Sequence, residues 1–246
     1  TPPSEPRITM TAASGILFAV GIFFVYSGVQ AVIAVIYGLW PQIKSGELGA
    51  DVNSKIEEIS LNGDAIGVAG TLSGIFGITL IVLLTKIWRG NDFRLQLGLV
   101  APSMKSILLW LAVVLVLGMG LELIGQKFDL FQSDFMELVW NNTTHYSWLF
   151  VAVALMAPIF EELLFRGLLL DSLDRIGLGM HGGVIVSSIL FAVVHLQYDW
   201  DIMIAITLLG VVLAYIRYYS RSIYVPIILH FVNNTLTFIL TAYDIG

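Results

Sequence analysis

The feature that most constrains this chain is a series of apolar runs, most of them about 20 residues long, the length needed to cross the hydrocarbon core of a bilayer. They lie at about 13–40, 65–88, 106–124, 148–170, 183–196 (shorter), 202–219 and 223–242. The apolar residues are continuous rather than alternating, which excludes strands of a barrel and leaves helices as the way to satisfy backbone groups in lipid. An all-α, polytopic membrane bundle is therefore expected, with seven spans and six or eight as the neighbouring counts. Composition agrees. Apolar residues make up 57% of the 246 positions and charged ones 12%, about half the charged share of soluble domains.

Trp40, Trp88, Trp148 and Trp200 fall at span ends, where amphipathic rings favour the headgroup level. The first run is too long for a removable signal peptide. Basic residues are unequally divided between the two sides. Arg7, Lys86, Arg89, Arg94, Lys105, Arg175, Arg217 and Arg221 fall on one side, and Lys44, Lys55 and Lys127 on the other. The asymmetry predicts a cytoplasmic N-terminus and an external C-terminus. A net charge of −6 leaves no basic footprint for nucleic acid, and the absence of Cys excludes disulfides, thiolate metal sites and a Cys nucleophile. Residues 41–64 read as an acidic polar loop, and 126–146 as a segment with a short interfacial helix. Gly70 and Gly74 form a GxxxG that predicts close helix packing and nothing more.

Charges inside spans cost about 2.5–3.5 kcal/mol each at the helix centre. Yet Glu161, Glu162 and Arg166 lie at the inner end of the fourth run, and His195 and His230 in the fifth and seventh. Asn234 follows His230 by four residues. One shared polar cavity is the cheapest way to house them all. Glu162 and Arg166 share a helix face and can pair, whereas Glu161 is turned about 100° away and is the freer carboxylate. His230 and Asn234 share a second face, and Phe191 sets an aromatic wall one turn before His195. Pro158 and Pro226 precede the polar groups of their spans and are expected to bend them.

Plainer readings exist for each residue alone. Glu162 with Arg166 can be a helix staple, His195 a packing residue, and Asn234 helix–helix glue. Glu122 is expected to be interfacial, while His145 and His181 are expected to be solvated in loops. Ser187 and Ser188 lack an ordered base. The case for a site rests on the gathering of two Glu, one Arg, two His and one Asn on three spans.

In order and spacing, Glu161-Glu162-x-x-x-Arg166, Phe191-x-x-x-His195 and His230-x-x-x-Asn234 resemble the three motifs of the CPBP family of intramembrane proteases, also called the Abi or Rce1-like CAAX proteases. The likeness covers about 152–237 and includes Gly167 and Pro226. It implies a catalytic core at 146–242 after a variable N-terminal half at 1–145, within a single membrane domain. It also implies hydrolysis of a membrane-associated peptide, either a prenylated CAAX tail or a hydrophobic leader or pheromone. By that resemblance Glu161 is the general base with His195, His230 and Asn234 form the oxyanion hole, and Glu162 with Arg166 hold the constellation. Zinc is possible on Glu161, His195 and His230, but no HExxH pair occurs and a metal-free glutamate mechanism is the favoured reading. A non-catalytic bacteriocin-immunity or scaffold member of the same family is the alternative. A proton-coupled transporter is disfavoured because no inverted repeat appears.

Overall fold

The computed structural model describes residues 12–46 and 52–245; Arg7 lies outside them. Helix is the only regular structure among these residues. In chain order they form α1 (Ala12–Ser45), α2 (Val52–Ser60), α3 (Gly63–Arg89), the short α4 (Phe93–Leu97), α5 (Met104–Phe128) and α6 (Asp134–Asn141). There follow α7 (146–178), α8 (Gly179–Val193), α9 (Trp200–Ser220) and α10 (Tyr224–Ile245). Polar residues set the starts. Asn62, Ser103 and Ser133 each accept a hydrogen bond from a backbone N–H three residues on, capping α3, α5 and α6.

Among the described residues, six helical stretches are long and apolar enough to cross a membrane. The protein is an integral, multi-pass membrane protein. The count is one below the expected seven because the fourth and fifth runs fall within the single stretch Tyr146–Val193. The chain reverses there at Gly177 (φ 93°) and Gly179 (φ 65°), in backbone conformations open to glycine. The returning helix, α8, is only about 22 Å long at 1.5 Å per residue, short of a full crossing. Large apolar side chains face outward all round, Ile87 at 73% and Val116 at 68% exposed, as suits a lipid solvent rather than water.

At the centre lies α7. Its Phe160, Leu163, Leu164, Phe165, Leu168, Leu169 and Leu173 form the heart of the main core, flanked by Ala19 and Ile22 of α1, Ile81 of α3 and Phe191 of α8. A second core joins Val114 of α5 to Leu213 and Ile216 of α9 and Leu229 of α10. Small residues let α3 approach α7. A Cβ on Gly70 would meet the Ala152 Cβ at 2.9 Å, and one on Gly74 the Met156 Cβ at 2.7 Å. The GxxxG is thus a packing device, as its spacing predicts.

Gly67 is tighter still, because its Cβ would meet the backbone N of Leu149 at 2.6 Å and the carbonyl carbon of Trp148 at 2.7 Å. Backbone cannot rotate aside. Gly67→Ala is expected to destabilise the fold by about 1–3 kcal/mol through overpacking. Gly118→Ala on α5, with nothing within 4 Å, is expected to be neutral or slightly stabilising. Thermal unfolding of the two variants in detergent checks the contrast.

Several expectations change here. His145 and His181 are exposed, as expected, but each has a partner. The Asp64 carboxylate accepts from the backbone N–H groups of Thr144 (3.1 Å) and His145 (2.6 Å), and the His145 ring approaches its other oxygen at 3.2 Å, tying the start of α3 to that of α7. His181 lies in α8 and its Nδ1 pairs with the Tyr215 hydroxyl at 2.7 Å. Sequence periodicity within one helix cannot reveal such partners, because they come from other helices. Pro226 occupies the first turn of α10, where a missing N–H costs nothing and no bend follows. Within 41–64, α1 runs on through Pro41 to Ser45 and α2 adds a second helix.

Candidate active site

Irregular turns of α7 shape the site. Its α-helical turns are interrupted by π-helical ones at Val151–Met156, Leu163–Leu169 and Asp174–Leu178, a form of winding frequent at functional sites. Glu161 and Glu162 sit on the short α-helical segment Ala157–Glu162 between the first two. Because α7 continues to residue 178, Glu161 lies near its midpoint rather than at the inner end of a span.

Glu162 and Arg166 are sealed in the core at 0% and 1% exposure. Arg166 Nη1 donates to Glu162 Oε1 at 3.1 Å and Nη2 to the Gly210 carbonyl at 3.0 Å. Its guanidinium also stands 4.4 Å from the Phe191 ring centroid, a favourable cation–π geometry. The same Glu162 oxygen meets His230 Nδ1 at 3.0 Å. A carboxylate paired with Arg166 is an acceptor, so His230 Nδ1 carries the proton and donates it. Nε2 of His230 then faces Glu161 Oε2 at 3.7 Å.

His195 is fixed in a similar way, though it lies just past the end of α8 rather than within a span. The chain tightens there, and the backbone N–H of His195 bonds to Ala192 O at 2.9 Å. The Phe191 carbonyl is left for the imidazole, whose Nδ1 donates to it at 2.8 Å. Nε2 is therefore the unprotonated nitrogen of the neutral ring, and it faces Glu161 Oε1 at 4.0 Å. Glu161 and His195 are the partly open members, with side chains 17% and 19% exposed. Five of the six expected residues thus converge around Glu161. The sixth, Asn234, lies on the same helix as His230 and donates from Nδ2 to the Val153 carbonyl at 3.0 Å.

Other residues complete the walls. Phe191 is 5.1 Å from the His195 ring and 5.7 Å from that of His230, between centroids. Tyr26 of α1 stacks on Phe160 at 3.8 Å, next to Glu161. Tyr198, in the loop before α9, stacks with His195 at 6.3 Å and donates to Met136 Sδ at 3.3 Å. Burial, and then the charge of Glu161, pushes its phenol up to about 12, against a weaker opposing hydrogen bond with Gln197. Tyr198 thus keeps its proton throughout the neutral range. Spacing from His195 offered a weak signal for Tyr198. Nothing in the motifs pointed to Tyr26 or to the Gly210 carbonyl. Ser187 and Ser188 are buried and both donate to the Val184 carbonyl, so neither is an available nucleophile.

The donors around Glu161 are spaced more widely than a zinc site requires. Donors around a tetrahedral zinc at 2.0–2.1 Å lie about 3.3 Å apart. Here the two Nε2 atoms stand 4.0 and 3.7 Å from different oxygens of Glu161. Among the described residues no group of three His, Asp or Glu is set to hold a metal ion.

Residues 143–236 match the family model described as type II CAAX prenyl endopeptidase Rce1-like. That segment is similar to the Rce1-like family. An uncharacterized 24.3 kDa protein of Escherichia coli is 32% identical to this chain over 88 residues, 35% of this chain and 41% of that protein. The chain thus spans about two fifths of the length of the curated relative it matches. No solved structure matches. The matched segment contains Glu161, Glu162, Arg166, His195, His230 and Asn234, while Tyr26 lies outside it.

Proposed function

We propose that this protein is an intramembrane endopeptidase that hydrolyses a peptide bond with a water activated by Glu161. The observation that carries the reading is the pair of imidazole Nε2 atoms facing one partly open carboxylate, each ring held by its Nδ1. Two hydrogen bonds of about 2.8 Å meeting at one water span about 4–4.5 Å for angles between about 90° and the tetrahedral value, a range whose lower end meets the 4.0 Å gap between Glu161 and His195. Glu161 takes a proton from that water as its oxygen adds to the scissile carbonyl carbon. The oxyanion accepts hydrogen bonds from Asn234 Nδ2 and from His230 Nε2, the latter while the proton taken up by Glu161 is passed from Oε2 to that facing nitrogen, from which it returns to Glu161 on collapse. The tetrahedral adduct then collapses, the C–N bond breaks, and the proton held by Glu161 passes to the leaving amine. General-base help is worth about 10²–10⁴-fold, and one oxyanion donor about 10²–10³-fold. Glu162 and Arg166 hold His230 in place.

In this reading residues 146–242 are the catalytic core and 1–145 a scaffold whose helices wall one side. The Lys/Arg asymmetry supports a cytoplasmic N-terminus. Apolar walls suit a prenylated CAAX tail or a hydrophobic leader or pheromone peptide. Matched prenylated and unprenylated reporter peptides, offered to proteoliposomes and read by mass spectrometry, separate the two classes; cleavage of neither class argues against the reading.

No step requires a metal. Dialysis against a chelator is expected to leave the rate within about twofold, consistent with donor spacings that are wide for zinc. Activity lost on chelation and restored by zinc would contradict the mechanism.

A further inference from the structure

Asn234 is held by a backbone atom that a proline sets free. In the π-helical turns at Val151–Met156, N–H groups bond five residues back, and that of Ala157 reaches the Ala152 carbonyl. The next bond in this register would run from residue 158 to the Val153 carbonyl. Residue 158 is Pro158, which has no N–H. The π-helical winding stops there and α-helical turns resume. The Val153 carbonyl is accepted into no such bond and takes the Asn234 side-chain amide instead, at 3.0 Å. A carbonyl left unpaired inside a membrane protein is strongly disfavoured, so the amide is pinned. Its oxygen in turn accepts from Asn233 Nδ2 at 3.3 Å, which fixes the orientation of the carboxamide. Nδ2 keeps a second proton with no protein partner among the described residues.

We infer that Pro158 is a positioning residue: by withholding an N–H it makes the Val153 carbonyl the anchor that aims the second Asn234 proton. The kinetic part rests on the proposed role of Asn234 as an oxyanion donor; the link from Pro158 through Val153 to Asn234 does not. A proline that merely kinked α7 would act on Glu161 and Asn234 alike, and its replacement would not depend on what occupies position 234.

A double-mutant cycle on the reconstituted full chain separates the two, read both as kcat and KM on a cleaved reporter peptide and as the midpoint of thermal unfolding. Asn234→Ala is expected to lower kcat about 100-fold. Pro158→Ala, which returns an N–H to Val153, is expected to lower kcat at least 10-fold with KM within about twofold. The double variant should match Asn234→Ala within about twofold. Asn234→Ala should lower the unfolding midpoint in the native background, and by less than half as much beside Pro158→Ala. Multiplying kinetic effects, or equal midpoint shifts in both backgrounds, would overturn the inference. If the native protein cleaves nothing, the proposed function fails and the unfolding cycle still decides the link. If Pro158→Ala does not fold, Asn234→Gln decides, since it keeps both donors but displaces them by a methylene. Native rate and midpoint in that variant would equally overturn the inference.

Discussion

Glu161→Gln protein is expected to lose at least about 10³-fold in kcat with KM within a few-fold, because a general base acts mainly on the transition state. The carboxamide keeps the size of the side chain, and Glu161 is partly open, so the fold should not suffer. His195→Ala is expected to lose about 10²–10³-fold, since the water then has one anchor instead of two. The informative result is the pair. Both residues hold the same water, so the double variant should be scarcely slower than Glu161→Gln alone, as for groups that act as a unit. Steady-state kinetics in proteoliposomes checks this. Multiplying effects would mean that His195 acts on a different step.

The largest structural effect is expected at Arg166. Its guanidinium is fully buried against Glu162, the Gly210 carbonyl and the face of Phe191. Arg166→Ala leaves the Glu162 carboxylate buried beside His230 with no cation on the pair. Breaking a buried pair from one side costs about 3–5 kcal/mol, a large fraction of a typical folding free energy. Arg166→Lys should recover only part of this, because an ammonium cannot reach Glu162 and Gly210 with a planar fork or stack on Phe191 in the same way. Thermal unfolding in detergent is the readout. Arg166→Ala with a native midpoint would show that the pair is not what holds the centre of α7.

Lipid made the gross fold legible, because a chain with so few charges must hide its backbone in helices and mark their ends with Trp. Trp40, Trp88, Trp148 and Trp200 lie near helix ends as expected. The same rule could not tell that α7 and α8 would form one turned stretch, since that depends on two positive-φ glycines rather than on apolar content. Within the site, Glu162 with Arg166 was readable because both sit on one helix four residues apart. His195 and Asn234 were readable as residues but not as geometry. Their partners are the Phe191 and Val153 carbonyls, released where winding tightens in one helix and widens in another. Side-chain spacing carries no sign of a freed carbonyl. Only Pro158 hints at one, because it has no N–H to give.

The central claim, that Glu161 activates the water that cuts the peptide, is tested most directly by mass spectrometry. A membrane-associated reporter peptide is incubated with proteoliposomes of native or Glu161→Gln protein, matched for amount and unfolding midpoint. The account predicts one cleaved bond with the native protein and no product above background with Glu161→Gln. Cleavage of the same bond by Glu161→Gln at the native rate would contradict it.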